Sequence, residues 1–251
     1  MAIIMRYFIG NWKMFGVPKS LNILKKISSF YARDNNRNKY RIIMTPPYTL
    51  ISDFSKYFKN KSITIGSQNC YHKDFFSPDT AAISAYMLKS VGASHIIIGH
   101  SDNRSEGDTD QILKAKVQSA LNNNLKIIFC IGENKKEKKT KKTSSVLKKQ
   151  LLNVLEKKFD YKKFIIAYEP IWSIGTGILP TSKELKKTSL HIRKVLEGIY
   201  KKKTLPVLYG GSVDKHSVKM YKEISEIDGF LIGGASKSSK KFIDIIKNYY
   251  R

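Results

Sequence analysis

Eight short apolar runs recur along the chain, and each is followed by turn residues and then by a segment with helical spacing. The runs are continuously apolar and rich in β-branched residues, which is typical of parallel strands buried on both faces. We therefore predict eight strands, in the segments Tyr7–Ile9, Arg41–Met44, Ile63–Ile65, His95–Ile98, Lys126–Phe129, Phe164–Ala167, Pro206–Tyr209 and Gly229–Ile232.

The segments between the runs carry helix signals. Apolar spacing over Thr80–Leu88 predicts a helix with one apolar stripe. Thr109 is a candidate cap for another helix. Ser182 and Glu184 open a long amphipathic stretch, which we predict to end near Lys203.

Eight β–α units in 251 residues match the arithmetic of a single-domain (β/α)8 barrel, the TIM barrel, spanning residues 1–251. No change in composition marks a linker. The alternative is a doubly wound open sheet, which usually begins with a glycine-rich dinucleotide turn. The first predicted strand is followed instead by Gly10-Asn11-Trp12-Lys13, which favours the barrel.

The charge balance is strongly basic, with 46 Lys and Arg against 20 Asp and Glu, for a net charge of +26. Hydrophobic residues make up 41% of the chain, which excludes a disordered or fibrous protein. Only seven of the cations are arginine, and the densest run, Lys135–Lys142, contains no aromatic residue for base stacking. This favours a solvated lysine-rich surface that attracts small anions, and we expect no specific nucleic-acid partner. A polyanion-binding patch remains the alternative.

Targeting and redox signals are weak. No apolar run approaches the roughly 18–20 residues of a membrane helix, and the N-terminal residues carry no cleavage pattern. The two cysteines, Cys70 and Cys130, do not suggest a disulfide framework. We expect a cytoplasmic protein without a membrane partner.

Polar and small residues follow five of the predicted strands. In a barrel the chemistry belongs on the loops at the carboxyl ends of the strands. A lone histidine or a glycine pair is usually structural, but a lysine, a histidine, a glutamate and two anion-binding loops on one rim predict an active site. These positions are Asn11 and Lys13, His100, Glu169, Gly210–Ser212, and Gly233–Ser236.

The motifs around these positions resemble the triosephosphate isomerase family, in order and with the family's spacing from about Tyr7 to the last helix. The eleven-residue string that contains Glu169 is the most specific of them. The motifs are Asn11-Trp12-Lys13-Met14, Gly99-His100-Ser101, Ala167 to Gly177 (AYEPIWSIGTG), Tyr209-Gly210-Gly211-Ser212-Val213 and Gly233-Gly234-Ala235-Ser236.

The resemblance implies an aldose–ketose isomerase of glycolysis and gluconeogenesis that interconverts dihydroxyacetone phosphate and D-glyceraldehyde 3-phosphate through an enediolate. Glu169 would be the base and His100 the neutral electrophile at the carbonyl oxygen. Lys13 would add a positive charge, Asn11 would orient the substrate, and Asp102 would hold Lys13.

The resemblance also implies how the phosphate is held. Backbone N–H groups of Gly175, Ser212, Gly233 and Gly234 would bind it, and the segment 170–180 would close over it as a lid. Neither a metal nor an organic cofactor is implied. The expected small-molecule partner is the triose phosphate itself, bound by a homodimer.

The sequence departs from the family pattern in three places. One is the segment Ser105–Asp108, which is about two residues shorter than is usual in the family. Asp102-Asn103 stands where the family carries Glu-Arg, so either Lys13 is held loosely or the backbone compensates for the missing methylene. Thr80-Ala81-Ala82 replaces the family's Thr-Gly-Glu, so both partners of the interface ion pair are absent. We expect a homodimer with other contacts, anchored by Phe75 and Phe76, unless these two rings fold back onto their own subunit.

Two other functions compete with the isomerase. One is a barrel without catalysis that serves as a scaffold or polyanion binder, although Lys13, His100 and Glu169 are all present. The other is an isomerase for a different phosphosugar on the same scaffold.

Overall fold

A computed structural model of the chain, which describes residues 5–59, 63–201 and 205–251, contains a closed barrel of eight parallel strands. Each strand pairs with the next in sequence, and β1 pairs with β8 to close the barrel. The predicted (β/α)8 barrel is therefore confirmed. The strands are β1 (Arg6–Asn11), β2 (Tyr40–Thr45), β3 (Ile63–Ser67), β4 (His95–Ile98), β5 (Lys126–Ile131), β6 (Phe164–Tyr168), β7 (Val207–Tyr209) and β8 (Gly229–Ile232).

Helices connect successive strands around the outside of the barrel. None of the helices in the described ranges is both long and apolar enough to cross a membrane. They are α1 (Leu21–Arg33), α2 (Tyr48–Phe58), α3 (Ala85–Ser90), α4 (Ser101–Ser105), α5 (Asp110–Asn122), α6 (Lys135–Lys139), α7 (Thr143–Val154), α8 (Ser182–Tyr200), α9 (Lys215–Tyr221) and α10 (Ser239–Tyr250).

Two apolar clusters explain why the strands are continuously apolar. Because side chains alternate across a strand, one set fills the barrel and the next packs under the helices. Ile9 and Ile43 belong to the small inner cluster, whereas Phe8 and Ile42 belong to the large outer one. The strands are thus buried on both faces, as their composition predicts.

The prediction of a helix over Thr80–Leu88 is wrong in its first half, because α3 begins only at Ala85. Ala81 has a φ of +65°, which a right-handed helix does not accommodate. The Ser84 side chain caps the helix by accepting a hydrogen bond from the N–H of Met87. Met87 is 38% exposed and does not belong to a buried stripe.

The predictions for the other two helices agree better with the structure. Thr109 caps α5 by accepting a bond from the Ile112 N–H. The cap of α8 is Thr181, one residue before the predicted start, and Glu184 completes a reciprocal pair of hydrogen bonds with it. The last residue of α8 is Tyr200, and the predicted end at Lys203 lies outside the described residues.

His95, in β4, gives a pH-dependent prediction. Burial, with smaller contributions from Lys126 and Lys89, lowers its pKa from 6.5 to about 3. Below pH 6.5 the unfolded chain therefore binds a proton that the folded chain refuses, so stability falls as the pH falls. Urea unfolding should show that wild type loses up to about 2 kcal/mol more than His95→Gln between pH 7 and pH 5. Equal losses of unfolding free energy in the two proteins would contradict the lowered pKa of His95.

Candidate active site

A cavity of about 460 Å³ opens at the carboxyl ends of the strands. It gathers eight of the nine residues to which the family resemblance assigns a role. Asp102 does not line this cavity, but it lies beside Lys13 in an adjoining depression. The eight lining residues are Asn11, Lys13, His100, Glu169, Gly175, Ser212, Gly233 and Gly234.

Glu169 is held at the end of β6 with only 4% of its surface exposed. Its backbone N–H donates to the carbonyl of Ile131, which extends the pairing with β5 by one residue. Oε2 accepts no hydrogen bond from any described residue. One oxygen of this carboxylate is therefore buried without a hydrogen-bond partner among the described residues.

Two glycines, which have no side chain, make room for Glu169. A Cβ at Gly132 would lie 1.8 Å from the Glu169 carbonyl oxygen, and a Cβ at Gly210 would lie 2.6 Å from its Cγ. Either contact is far inside van der Waals distance, and at Gly132 the obstacle is backbone. These glycines fix where the carboxylate can sit.

His100 is buried and presents one ring nitrogen to Glu169. Its Nδ1 accepts a hydrogen bond of 3.1 Å from the backbone N–H of Asp102, in the first turn of α4. An accepting nitrogen carries no proton, so the ring is neutral and its proton is on Nε2. Nε2 lies 3.5 Å from Glu169 Oε1. This separation is too long for a strong hydrogen bond, so the N–H can donate to a ligand oxygen.

Lys13 has a left-handed backbone, with a φ of +54°. Two side chains hold this conformation: Asn11 Oδ1 accepts from the Lys13 N–H at 3.0 Å, and Gln68 Nε2 donates to the Lys13 carbonyl at 2.9 Å. The Lys13 ammonium lies 3.0 Å from Asp102 Oδ2, so the shorter carboxylate still reaches the lysine. Strained backbones of this kind concentrate at functional sites.

Another part of the cavity wall is formed by small residues from the loops after β7 and β8. Nothing lies within 4 Å of an added Cβ at Gly233 or Gly234, so a ligand has room to approach this backbone. The Ser212 N–H makes only a long bond of 3.4 Å to Ser173 Oγ. Backbone N–H groups with open space in front of them suit an anion.

The lid, residues 170–180, rests against the loop after β7. The Gly177 N–H donates to Ser212 Oγ at 3.3 Å, and Ser212 Oγ donates to the Ser173 carbonyl at 2.6 Å. Gly175 and Gly177 have φ values of +69° and +74°, which residues with a Cβ adopt only with strain. We call this arrangement the docked lid.

Sequence reasoning missed the anchor of the lid's first hinge. Glu133 is buried, and its Oε1 accepts from Trp172 Nε1 at 2.9 Å and from the Tyr168 hydroxyl at 3.2 Å. The Lys138 ammonium sits 3.7 Å above the Trp172 ring. The available signal was a glutamate in the turn after a strand, at Gly132-Glu133.

The two cysteines are buried and free. Burial, and then the nearby Glu169 carboxylate, raise the pKa of the Cys130 thiol well above its usual range, so it remains protonated. Within residues 5–59, 63–201 and 205–251, no three His, Cys, Asp or Glu side chains group in a way that could hold a metal ion.

Fold and site together define a (β/α)8-barrel protein whose ionisable side chains gather on the rim at the carboxyl ends of the strands. The triosephosphate isomerase family model matches residues 6–249. The chain belongs to the triosephosphate isomerase family.

Individual relatives agree over nearly the whole chain. The triosephosphate isomerase of Bartonella tribocorum is 38% identical over 249 residues, which cover 98% of this chain and 97% of that protein. The enzyme of Thermodesulfovibrio yellowstonii is 34% identical over 245 residues, or 96% of this chain and 98% of that protein. The crystal structure of the Bartonella henselae enzyme is similar with a TM-score of 0.89 and 34% identity, covering 98% of this chain and 99% of that one.

Proposed function

We propose that this isomerase interconverts dihydroxyacetone phosphate and D-glyceraldehyde 3-phosphate through an enediolate, in glycolysis and gluconeogenesis, as a cytoplasmic enzyme. One observation carries the proposal: a glutamate oxygen and the Nε2 of a neutral imidazole lie 3.5 Å apart in a cavity whose wall also includes open glycine backbone. A three-carbon phosphate fits this arrangement, with its carbonyl end at the acid–base pair and its phosphate at the wall.

Glu169 acts as the base. It takes a proton from C1, next to the carbonyl, and returns it to C2. The hydroxyl proton on the C1 oxygen moves to the C2 oxygen, and the two transfers together convert the ketose to the aldose. Two observations support this role. The carboxylate is buried, and its Oε2 has no competing donor among the described residues.

His100 and Lys13 stabilise the oxygen that gains negative charge. The His100 Nε2–H donates a hydrogen bond, and the Lys13 ammonium contributes a full positive charge. Asn11 acts first on the enzyme itself, because its side chain holds the strained Lys13 backbone, and it also orients the substrate. Asp102 positions the Lys13 ammonium from outside the cavity.

Backbone N–H groups of Gly175, Ser212, Gly233 and Gly234 bind the phosphate. The docked lid then excludes water from the intermediate. This exclusion matters because a solvated enediolate loses its phosphate by elimination.

An assay with D-glyceraldehyde 3-phosphate tests the function, with a dehydrogenase that reduces the dihydroxyacetone phosphate formed. We expect rapid turnover of this substrate and little turnover of larger sugar phosphates. Turnover of another phosphosugar alone would support a different isomerase. Purified, folded protein without any turnover would support the scaffold alternative.

We also propose that the enzyme is a homodimer. Met14 is 99% exposed, and Phe75 and Phe76 are 52% and 69% exposed, although both rings also contact Tyr86 of their own chain. The rings thus fold back only in part. Large apolar groups at such exposure favour burial against a second copy.

Phe76→Asp should shift the protein from dimer to monomer in sedimentation at micromolar concentration, because a carboxylate would be buried without a partner. Leu152→Asp is the matched control, since Leu152 is 50% exposed on α7. A monomeric wild type, or equal effects of the two substitutions, would contradict the proposed interface.

A further inference from the structure

One lid residue, Ser173, is completely buried, and its hydroxyl joins three separate pieces of chain. Ser173 Oγ donates to the carbonyl of Ile178 at 2.5 Å, and it lies 2.9 Å from the Tyr209 hydroxyl at the end of β7. It also accepts the long bond from the Ser212 N–H. The stem of the lid, its far end and the loop after β7 therefore meet at one oxygen.

The directions of these bonds follow from the number of protons available. A serine hydroxyl has one proton and two acceptor sites. The Ile178 carbonyl can only accept, so it takes the Ser173 proton, and Tyr209 must donate to Ser173. Burial raises the pKa of Tyr209 to about 12, so this phenol keeps the proton that it donates. Every bonding position of the Ser173 hydroxyl is used.

The surrounding backbone preserves the space for this contact. A Cβ at Gly211 would lie 2.3 Å from the Tyr209 hydroxyl oxygen and 2.7 Å from Ser173 Oγ. The two hydroxyls could not keep their places if residue 211 carried a side chain.

The same contact completes the docked lid. Ser212 Oγ donates to the Ser173 carbonyl while it accepts from the Gly177 N–H. Ser173 is thus bonded through its side chain to the lid and to β7, and through its backbone to the residue that holds the lid tip. If the lid moved away, the bonds from Ser173 to Tyr209 and Ser212 would break, whereas the bond from Ser173 to Ile178 lies within the lid.

We infer that Ser173 is a positioning residue that holds the lid docked over the reacting substrate, through its hydroxyl bonds to Ile178 and Tyr209. The inference rests on the proposed isomerase function. Ser173 touches no reacting atom, since it does not line the cavity. Its contribution is to keep the docked arrangement long enough for the enediolate to be reprotonated.

Ser173→Ala tests the inference against a matched control, Ser189→Ala. Ser189, on α8, is equally buried, and its hydroxyl bonds to no described residue. We expect Ser173→Ala to lower kcat/KM about tenfold, the order of effect of losing a hydrogen-bonded buried hydroxyl. The control should stay within about twofold of wild type.

A second readout separates lid positioning from a general loss of packing. The released enediolate expels its phosphate as the carbon–oxygen bond breaks, so inorganic phosphate per isomerisation event counts escapes from the docked lid. We expect this ratio to rise severalfold in Ser173→Ala and to remain at the wild-type value in Ser189→Ala. A merely structural role would lower the melting temperature without changing the ratio.

Tyr209→Phe removes the other end of the bond. If the two hydroxyls act as one unit, the double variant of Ser173→Ala and Tyr209→Phe should have about the same kcat/KM as either single variant. Independent roles would instead multiply the two losses. If Ser173→Ala has the same phosphate ratio and the same kcat/KM as the control, the inference is overturned. The isomerase function would still stand in that case, because the wild-type enzyme turns over. An inactive wild type would instead overturn the function itself.

Discussion

Glu169→Gln is expected to lower turnover by about 10²–10⁴-fold, the usual cost of removing a general base. The amide has nearly the shape of the carboxylate, so the space left by Gly132 and Gly210 still accommodates it. It cannot accept a proton from carbon at any useful rate. Binding of a phosphate-bearing mimic of the enediolate should change much less, because the phosphate wall is untouched.

Glu197→Gln provides the matched control, since Glu197 is an exposed glutamate on the outer helix α8. It should retain wild-type turnover in the same coupled assay. A Glu169→Gln enzyme with more than about a tenth of the wild-type rate would show that another group removes the proton.

Lys13→Met is expected to lower kcat/KM by about 10²–10³-fold, the cost of losing one preorganised group at a developing oxyanion. Methionine has a similar length, and the +54° backbone and its bonds to Asn11 and Gln68 are common to both side chains. The substitution therefore removes a charge with little change of shape. It also leaves Asp102 without its cationic partner, which lowers the attraction for an anionic substrate further.

Lys19→Met, in the same loop between β1 and α1, removes one exposed positive charge without touching the cavity. Steady-state kinetics of the two variants should differ by at least tenfold. Equal, small effects would mean that Lys13 contributes only to the overall positive field of the molecule.

The barrel was predictable from sequence because parallel strands buried on both faces need apolar residues at every position. The runs Ile96-Ile97-Ile98 and Ile127-Ile128 meet this need on the inner and outer clusters at once. The rim residues were predictable for a related reason. A polar side chain directly after such a run, as at His100 or Glu169, has only the carboxyl end of the barrel to occupy.

The contacts behind the site were not predictable, because they join residues far apart in sequence. Nothing local to Glu133 indicates that it accepts a bond from Trp172, and nothing local to Ser173 indicates that its partner is Tyr209. The prediction of where α3 begins was wrong for a different, local reason. The left-handed Ala81 breaks an apolar spacing that otherwise fits a helix.

The role proposed for Glu169 is to move a proton between C1 and C2 of a triose phosphate. Incubation of the enzyme with dihydroxyacetone phosphate in D₂O, followed by proton NMR, tests it most directly. We expect D-glyceraldehyde 3-phosphate to form with deuterium at C2, and Glu169→Gln to form it at least about 10²-fold more slowly. A Glu169→Gln enzyme that forms deuterated product at more than about a tenth of the wild-type rate, or a wild-type enzyme that yields neither product nor deuterated substrate, would contradict this role.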